Sequence, residues 1–455
     1  MPNHKKFNQS VHFSSVRTLF KSGEDTPRAL FERTLQRIEE NEPHVHAFVH
    51  LNIERARVEA DASTKRYAAG KPLSAIDGMP FGVKDIIDTC DMPTQMGNSF
   101  FKNHQPKIDA ACVRALKLGG AVILGKTVTT EFAIGRSGPT KNPWNTDHTP
   151  GGSSSGSAAG VGAGFVCAAF GTQTQGSIIR PSSFCGVVGF KPSIGALPIE
   201  GIHPLSATHD HLGVLAEGVK EAWAVARWVS EAHSSQDHRG LDGEMEIDEQ
   251  PLPLRRVAFL KTQGFDELDQ ASQKAFEQSL DRLRQAGVKI VTPEDSVVLK
   301  EFCALLDQVP EYSLDLVSVD MRWPYLGYMD VAQEHMGPRF TDLMERAKTL
   351  TREDYQYRLS FRDGMRARIR ELEQRFDALI LPAASGIASE GFINTGSRTL
   401  LTYSSFIGNP AITIPAMLVH QMPLGLQLMG FNGSDYLLAR HSAWALDLFK
   451  EPVTI

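Results

Sequence analysis

The segments PGGSSSGSAAG (residues 150–160) and GTQTQGSIIRPSSFCGVVGFKPS (residues 171–193) are unusually rich in glycine and serine. A tract of this composition can form a flexible loop. Both segments, however, lie among alanine, valine and phenylalanine rather than among charged residues, which favours a packed environment. Glycine permits left-handed turns and a close approach between backbones. We therefore expect a site built largely from backbone groups in this region.

The sequence around these segments alternates between strand-like and helix-like patterns. Residues 79–87 (MPFGVKDII) and 121–125 (AVILG) are typical of buried strands, whereas residues 109–120 (DAACVRALKLGG) have helical spacing. Such alternation predicts an α/β fold. Further strands are predicted at residues 256–262, 288–293, 377–382, 411–416 and 423–430, with a helix near 268–286.

Two other regions are predicted to be largely helical. Residues 31–40 and 52–70 have helical patterns, so residues 1–70 are expected to form a helical N-terminal segment. Residues 300–375 are expected to form a mostly helical insertion.

The composition argues against several classes of protein. The chain has 455 residues, of which 42% are hydrophobic and 22% charged, and its net charge of −6 gives no basic field for nucleic acid or anionic membrane. Its first residues lack the apolar segment of a secretory signal. The longest apolar run, residues 158–170, is shorter than the roughly 20 residues that a membrane-spanning helix needs. We expect a soluble, cytoplasmic protein.

The five cysteines predict neither a zinc site nor a disulfide framework, because they form no CxxC pair and are widely spaced. Their apolar surroundings predict buried thiols. They are Cys90, Cys112, Cys167, Cys185 and Cys303.

Two short motifs match binding sites of other proteins, but their contexts do not fit. Residues 120–127 (GAVILGKT) match the pattern GxxxxGK[ST], yet a phosphate-binding loop needs a glycine-rich turn between a strand and a helix. Here the interior residues are themselves strand-like, with Lys126 at the strand's end. Residues 209–211 (HDH) lack the HExxH pattern or a partnering cysteine, and we expect them to be solvated on a loop.

Residues 152–156 (GSSSG) match the nucleophile elbow GxSxG, centred on Ser154. That motif requires a strand leading directly into the serine, whereas the preceding residues are polar and contain two prolines. A triad would also need a later acid and a histidine, for which His209, His211 or His420 could serve. A hydrolase with Ser154 as nucleophile is kept as an alternative hypothesis.

Residues 82–85 (GVKD) place a lysine in an apolar run typical of a strand. Neighbours such as Val83 and Ile86 favour partial burial of Lys84, although most lysines lie on the surface. Burial disfavours the ammonium form and lowers the pKa toward a value suited to a base.

These segments together resemble the amidase-signature family, whose motifs occur here in the same order over nearly the whole chain. The resemblance implies one domain covering residues 1–455, with a central mixed, twisted sheet covered by helices on both faces. The other matching segments are IDGMPFGVKDIIDTCDMPTQMG (76–97), GKTVTTEFA (125–133), NPWNTDHTPGGSSSGSAAG (142–160), FDALILP (376–382), GNPAITIPA (408–416) and LGLQLMGFNGSD (424–435).

The resemblance also implies a catalytic relay. Neutral Lys84 would take a proton from Ser153, which follows a cis peptide bond, and Ser153 would take one from the nucleophile Ser177. The implied mechanism needs no metal and no cofactor. The expected oxyanion hole consists of the backbone N–H groups of Thr174, Gln175, Gly176 and Ser177.

Four positions depart from the family pattern. Ser155 and Gln175 stand where the family has glycine, Gln173 stands where the family's GTDT form has an acidic residue, and Arg180 lies three residues after the nucleophile rather than two. Gln175 is expected either to face the cleft and contact the acyl group or to point away from it. Arg180 is expected either to bind the acyl side of the substrate or to pair with a buried carboxylate such as Asp210.

The first functional hypothesis is an amidase that releases ammonia from a small carboxylic amide. The alternatives are the amidase subunit of a tRNA-dependent glutamine amidotransferase, which would require a partner protein, and a non-catalytic family member. A small-molecule amide is the expected partner, without direct contact to nucleic acid or membrane, and a homodimer is left open.

Overall fold

In the part of the chain that the structure describes, a mixed sheet of twelve strands lies at the centre, which confirms the predicted α/β class. The computed structural model describes residues 11–233, 240–247, 250 and 252–455. The strands are β1 (Phe48–Leu51), β2 (Pro80–Lys84), β3 (Val122–Thr127), β4 (Ala168–Gln173), β5 (Val188–Lys191), β6 (His211–Ala216), β7 (Arg256–Phe259), β8 (Lys289–Val291), β9 (Ala378–Pro382), β10 (Ala411–Val419), β11 (Met422–Met429) and β12 (Val453–Thr454). Their order is β1-β3-β2-β4-β6-β5-β10-β11-β9-β7-β8, and β12 pairs with β10.

Helices connect most of these strands within the described ranges. They are α1 (Phe13–Ser22), α2 (Pro27–Val45), α3 (Ile53–Ala68), α4 (Ala111–Gly119), α5 (Ser155–Gly162), α6 (Ile179–Cys185), α7 (Val219–His233), α8 (Gln270–Gln285), α9 (Val297–Leu306), α10 (Val309–Asp320), α11 (Arg322–Ala332), α12 (Pro338–Thr349), α13 (Arg352–Glu373), α14 (Thr402–Ile407) and α15 (Asp435–Leu448). Every strand predicted from the sequence overlaps an observed strand, whereas the patterns do not predict β1, β4, β5, β6 and β12.

The two faces of the sheet pack into separate apolar clusters. Along β3, Val122 and Leu124 belong to one cluster and Ile123 to the other. Along β4, Ala169 belongs to the first cluster and Phe170 to the second. Successive side chains of a strand point to opposite faces, so both faces are buried. Helices α2, α3 and α5 contribute to the first cluster and α4 and α7 to the second, which confirms helical cover on both faces.

Three neighbouring strands run in parallel and end at one edge of the sheet. Strand β2 pairs in parallel with β3 on one side and with β4 on the other. Val83 lies opposite Phe170, and Lys84 lies opposite Thr127. Because the carboxyl ends of parallel strands share an edge, Lys84 at the end of β2 lies close to the turn that follows β4. The topology thus joins the GVKD segment to the second glycine-rich segment.

Helix α5 shows why the first glycine-rich segment is packed. A Cβ atom on Gly156 would lie 2.2 Å from the carbonyl oxygen of Ala47 and 2.3 Å from the amide nitrogen of Val128. These distances are far shorter than a van der Waals contact, so only glycine allows this approach. The predicted close approach of backbones is confirmed at this position.

Helices also occupy the two regions predicted to be helical. Helices α1, α2 and α3 lie in the N-terminal segment, with β1 between the last two, while residues 1–10 fall outside the described residues. Residues 300–375 lie almost entirely in helices α9 to α13. No helix in the described ranges is both long and apolar enough to cross a membrane.

Four of the five cysteines are buried as predicted, but Cys90 is exposed. Its segment turns over the surface after β2, and its backbone N–H donates to the Asp109 carboxylate at 2.9 Å. The prediction of burial is wrong at this position, because a loop residue follows the path of the backbone rather than the character of its neighbours in sequence.

Candidate active site

Lys84 is the last residue of β2, and its side chain is completely buried. The Nζ atom lies 2.8 Å from Ser153 Oγ and 2.8 Å from Thr172 Oγ1. Thr172 belongs to β4, the parallel neighbour of β2, so the sheet itself places this hydroxyl beside the amine. The structure thus brings together two of the three residues of the expected relay, together with a threonine that the sequence did not single out.

The surroundings of Lys84 change its basicity. Burial lowers the pKa of Lys84 well below its ordinary value, because the ammonium form loses its hydration, and the nearby Asp210 carboxylate opposes this effect only in part. Asp210 itself accepts a hydrogen bond of 2.7 Å from Thr174 Oγ1. A neutral amine has a lone pair that can accept a proton, so Lys84 is suited to act as a base.

Ser153 follows a cis peptide bond to Gly152, as the resemblance implies. The Gly152 carbonyl oxygen accepts a hydrogen bond of 2.6 Å from Arg180 Nη2. The Ser153 carbonyl oxygen accepts one of 3.2 Å from the Thr130 N–H. Hydrogen bonds on both sides of Ser153 therefore fix the backbone from which its hydroxyl reaches Lys84.

Ser177 lies in the turn between β4 and α6, and a buried glutamine holds this turn. The Oε1 atom of Gln173 accepts hydrogen bonds from the backbone N–H groups of Ile178 at 2.9 Å and Ile179 at 3.1 Å. Its Nε2 atom donates to Ser405 Oγ at 3.1 Å, which fixes the orientation of the amide. Gln173 thus satisfies N–H groups that the first turn of a helix leaves free.

The backbone beside Ser177 presents free donors. Among the hydrogen bonds of the described residues, none has the backbone N–H of Gln175, Gly176 or Ser177 as its donor. Gly176 has a φ of 143°, and a Cβ atom there would lie 2.7 Å from Leu401 Cβ, so this position requires glycine. Consecutive free N–H groups can stabilise an oxygen that carries negative charge.

These groups line a cavity of about 340 Å³ that contains Ser153, Gln175 and Ser177. The side chains of Ser153 and Ser177 are almost completely buried at its base. Four arginines and no acidic residue contribute to its lining in the part of the chain that the structure describes. They are Arg136, Arg180, Arg339 and Arg398.

Arg180 does not pair with Asp210, so that expectation is wrong. The guanidinium donates instead to the Gly152 carbonyl and to three acceptors in residues 395–397. Burial and the neighbouring Arg398 lower the pKa of Arg180 to about 9. The Asp210 carboxylate instead accepts hydrogen bonds from the backbone N–H groups of Leu205 and Ser206 and from Thr174 Oγ1.

Gln175 is buried, and its side chain lies at the cavity wall with both amide atoms bound. Its Oε1 atom accepts a hydrogen bond of 2.8 Å from Arg398 Nη1. Its Nε2 atom donates to Ser313 Oγ of α10 at 2.9 Å. Gln175 therefore links a cavity arginine to the helical insertion. Ser155, the other departure from glycine, donates to the Val128 carbonyl at 3.2 Å.

The HDH segment is not solvated, which corrects the expectation from sequence. His209 and His211 are buried, since His211 begins β6 in the middle of the sheet. Burial lowers the pKa of His209 to about 3, and its Nε2 lies 3.0 Å from Ser313 Oγ. Both imidazoles are therefore held in the neutral form inside the protein.

The GAVILGKT motif (120–127) and the GSSSG motif (152–156) lie in a strand and after a loop, respectively, as the sequence indicated. Strand β3 covers Val122–Thr127, and Lys126 Nζ is buried and donates to the Ile87 carbonyl at 2.7 Å, so no phosphate-binding turn is present there. The chain before Ser154 is a loop, and Ser154 Oγ donates to the Thr172 carbonyl at 3.3 Å.

Sequence reasoning missed Thr172, Arg136, Arg339 and Arg398 at this site, and it noted Gln173 only as a departure from an acidic residue. Thr172 and Gln173 lie inside the quoted segment 171–193, where a strand ending at residue 173 would have indicated them. Arg339 and Arg398 lie in distant segments that carry no motif, and only the fold brings them to the cavity.

Comparisons with known proteins point to one family. The Amidase family model matches residues 29–439. A glutamyl-tRNA(Gln) amidotransferase subunit of Roseiflexus sp. (strain RS-1) is 29% identical over 461 residues, covering 94% of each chain. The corresponding protein of Anaeromyxobacter sp. (strain K) is 37% identical over 274 residues, which cover 58% of this chain and only about half, 55%, of that protein.

A solved structure agrees over nearly the full length. The crystal structure of an amidase has 28% sequence identity and a TM-score of 0.82, covering 95% of this chain and 99% of its own. These similarities support hydrolysis of an amide C–N bond as the reaction class. The family model covers most of the chain, and the protein therefore belongs to the amidase family.

Proposed function

We propose that this protein is an amidase that hydrolyses a small carboxylic amide to a carboxylate and ammonia through an acyl-enzyme on Ser177. One observation carries the proposal: the buried Lys84 amine lies 2.8 Å from Ser153 Oγ, at a cavity that also contains Ser177. The free N–H groups beside Ser177 add a place where the carbonyl oxygen of the substrate can bind.

The relay begins with neutral Lys84, whose Nζ lies 2.8 Å from both Thr172 Oγ1 and Ser153 Oγ, so that the amine can donate to Thr172 and accept a proton from Ser153. Lys84 takes the proton of the Ser153 hydroxyl, and Ser153 takes the proton of Ser177. The oxygen of Ser177 then forms a bond to the carbonyl carbon. The carbonyl oxygen becomes negative and accepts hydrogen bonds from the backbone of residues 175–177, each of which contributes about 2.7–4 kcal/mol in comparable hydrolases.

Breakdown of this intermediate reverses the proton transfers. The C–N bond breaks as the nitrogen takes a proton from Ser153, which recovers one from the Lys84 ammonium, and ammonia leaves. A water molecule then attacks the ester carbon, its proton passes to the same relay, and the C–O bond to Ser177 breaks. The relay returns its proton to the Ser177 oxygen as that bond breaks, and the carboxylic acid gives its proton to the released ammonia, so the net products are a carboxylate, an ammonium ion and the free enzyme.

Ammonia release from a panel of small amides, measured with the purified protein and its Ser177→Ala variant, tests the proposal. We expect Ser177→Ala to fold normally and to lose at least about a thousandfold in turnover. Ser154→Ala serves as the matched control, because its hydroxyl is buried against a backbone carbonyl and takes no part in the relay. An inactive Ser154→Ala beside an active Ser177→Ala would instead favour the nucleophile-elbow alternative.

The second candidate is the amidase subunit of a tRNA-dependent glutamine amidotransferase. The similarity to the amidotransferase protein of Roseiflexus sp. (strain RS-1) over 94% of the chain supports this candidate. Such a subunit would pass its ammonia to a partner rather than release it. A non-catalytic family member would release no ammonia from any amide of the panel.

A further inference from the structure

The cavity beside Ser177 carries positive charge that the protein does not balance. Of its four arginines, only Arg136 forms a salt bridge within the described part of the chain, with Glu131 at 3.1 Å. Arg180, Arg339 and Arg398 form no salt bridge among the described residues, and the Asp342 carboxylate acts on Arg339 only through a longer-range attraction that burial outweighs. A guanidinium removed from water without a counter-ion is costly, so this arrangement favours an anionic ligand.

Arg398 and Arg339 are better placed to bind such a ligand than Arg180. The two Nη atoms of Arg180 are both occupied, because they hold Gly152 and the loop at residues 395–397. Arg398 donates through Nη1 to Gln175 alone. Arg339 has a buried Nη2 atom with no hydrogen-bond partner.

Gln175 gives Arg398 a fixed orientation. Its amide nitrogen is bound by Ser313 Oγ, so its oxygen must face Arg398 Nη1. The Thr402 hydroxyl donates to the Arg398 carbonyl oxygen at 2.8 Å and fixes the backbone at the same position. A guanidinium held in this way is prepared to bind a planar carboxylate through two parallel hydrogen bonds.

We infer that the substrate is an anionic amide, whose carboxylate pairs with Arg398 and Arg339 while its carboxamide lies at Ser177. This inference rests on the proposed function. A cavity of about 340 Å³ fits the monoamide of a short dicarboxylic acid, and the amide and carboxylate ends of such a molecule match the two ends of the site. A substrate with an ammonium group would meet only like charge in this lining.

The turnover experiment compares succinamate with 4-methylpentanamide, in which an isopropyl group replaces the carboxylate. We expect the wild-type protein to prefer succinamate in kcat/KM. Arg398→Met should lower kcat/KM for succinamate by roughly ten- to a hundredfold more than that for 4-methylpentanamide, whose smaller loss reflects the contact from Arg398 to Gln175. Arg398→Lys should recover only part of the loss, since an ammonium cannot bind a carboxylate bidentately.

Two further variants make the comparison specific. Arg114→Met removes an exposed arginine of α4 that does not line the cavity, and it should change kcat/KM for neither substrate. Arg339→Met provides a second cavity variant in case Arg398→Met does not fold, and its loss should also be larger for succinamate than for 4-methylpentanamide. An equal loss on both substrates, or a wild-type preference for the neutral amide, would overturn the inference.

A binding experiment separates this inference from the proposed function. Titration calorimetry of the Ser177→Ala variant with succinate and with succinamate should show binding whose affinity falls as the salt concentration rises. The double variant Ser177→Ala/Arg398→Met should bind neither ligand. Binding of both ligands without any ammonia release by the wild-type protein would refute the proposed function but keep the anion site. Release of ammonia from neutral amides without any anion binding would refute the anion site alone.

Discussion

At the scale of single residues, the pKa of Lys84 determines how the proposed amidase responds to pH. Burial lowers this pKa in the folded protein, and the amine accepts a proton only above it. Activity should therefore fall as pH falls through the folded-state pKa and stay level above it. A kcat/KM profile that is flat on the acid side, or that falls with rising pH, would contradict the role of Lys84 as base.

Thr172 offers a test of this assignment that does not remove the base. Its Oγ1 atom accepts a hydrogen bond from Lys84 Nζ and so stabilises the ammonium form more than the neutral amine. Thr172→Val keeps the shape and removes the acceptor, so we expect the acid limb of the kcat/KM profile to move to lower pH. Thr129→Val, a buried threonine outside these contacts, is the matched control and should leave the limb in place. An acid limb that moves to higher pH in Thr172→Val would contradict the role of this hydrogen bond in setting the pKa of Lys84.

The sequence predicts the three relay residues, which lie in long motifs, but it misses Thr172 within one of those motifs and the residues that lie outside them. Lys84, Ser153 and Ser177 each occur in a segment whose pattern indicates them. Arg398 occurs in a segment without any pattern, and its place depends on how residues 393–398 fold back across the cavity. The resemblance therefore indicates the expected chemistry, whereas substrate selectivity depends on contacts between distant segments.

At the scale of elements, helix α5 connects the stability of the fold to the site, because it begins directly after Ser153 and Ser154. Gly156→Ala would place a Cβ atom within 2.2 Å of the Ala47 carbonyl oxygen. Gly160→Ala in the same helix would meet its nearest atom, Ala47 Cβ, at 3.7 Å, an ordinary contact. We expect Gly156→Ala to lower the free energy of unfolding by about 1–3 kcal/mol and Gly160→Ala to raise it by about 0.4–1 kcal/mol.

Urea unfolding followed by circular dichroism measures both variants under the same conditions. Gly156→Ala should also lose amidase activity, because any shift of α5 displaces Ser153 from Lys84. Equal stability of the two alanine variants would show that α5 can move away from Ala47 without cost.

Sequence patterns predict some of these elements better than others, for physical reasons. Strands β2, β3 and β9 to β11 contain enough apolar and β-branched residues to be recognised. Strand β4 (AAFGTQ) and helix α5 (SGSAAGVG) contain small or polar residues with weak propensities, and they form because the surrounding structure buries them. Among the active-site elements, β2 is therefore predicted from its local pattern, whereas β4 and α5 are not.

At the scale of the whole molecule, the sheet order determines the site. Lys84 comes from β2, Ser177 follows β4, and these strands are neighbours although β3 lies between them in sequence. The α/β class follows from alternating patterns, but the insertion of β6 between β4 and β5 is not encoded in any local segment. Such pairings depend on contacts between distant parts of the chain, which a single sequence does not reveal.

The presence of every site residue in a single chain distinguishes the two candidate functions. The relay, the free N–H groups and the cavity arginines all come from this one chain. We therefore expect the protein, expressed and purified alone, to release ammonia from small amides without any other protein. Size-exclusion chromatography with light scattering, combined with an ammonia assay of each fraction, measures assembly and activity together.

Serial dilution of the active fraction then tests whether assembly matters. Because a site complete within one chain does not depend on association, its specific activity should stay constant on dilution even if the protein forms a homodimer. Activity that appears only in fractions containing a large co-purifying protein would favour the amidotransferase candidate instead. Activity that falls with dilution and returns on concentration would show that a second copy completes the site, and the one-chain relay would then need revision.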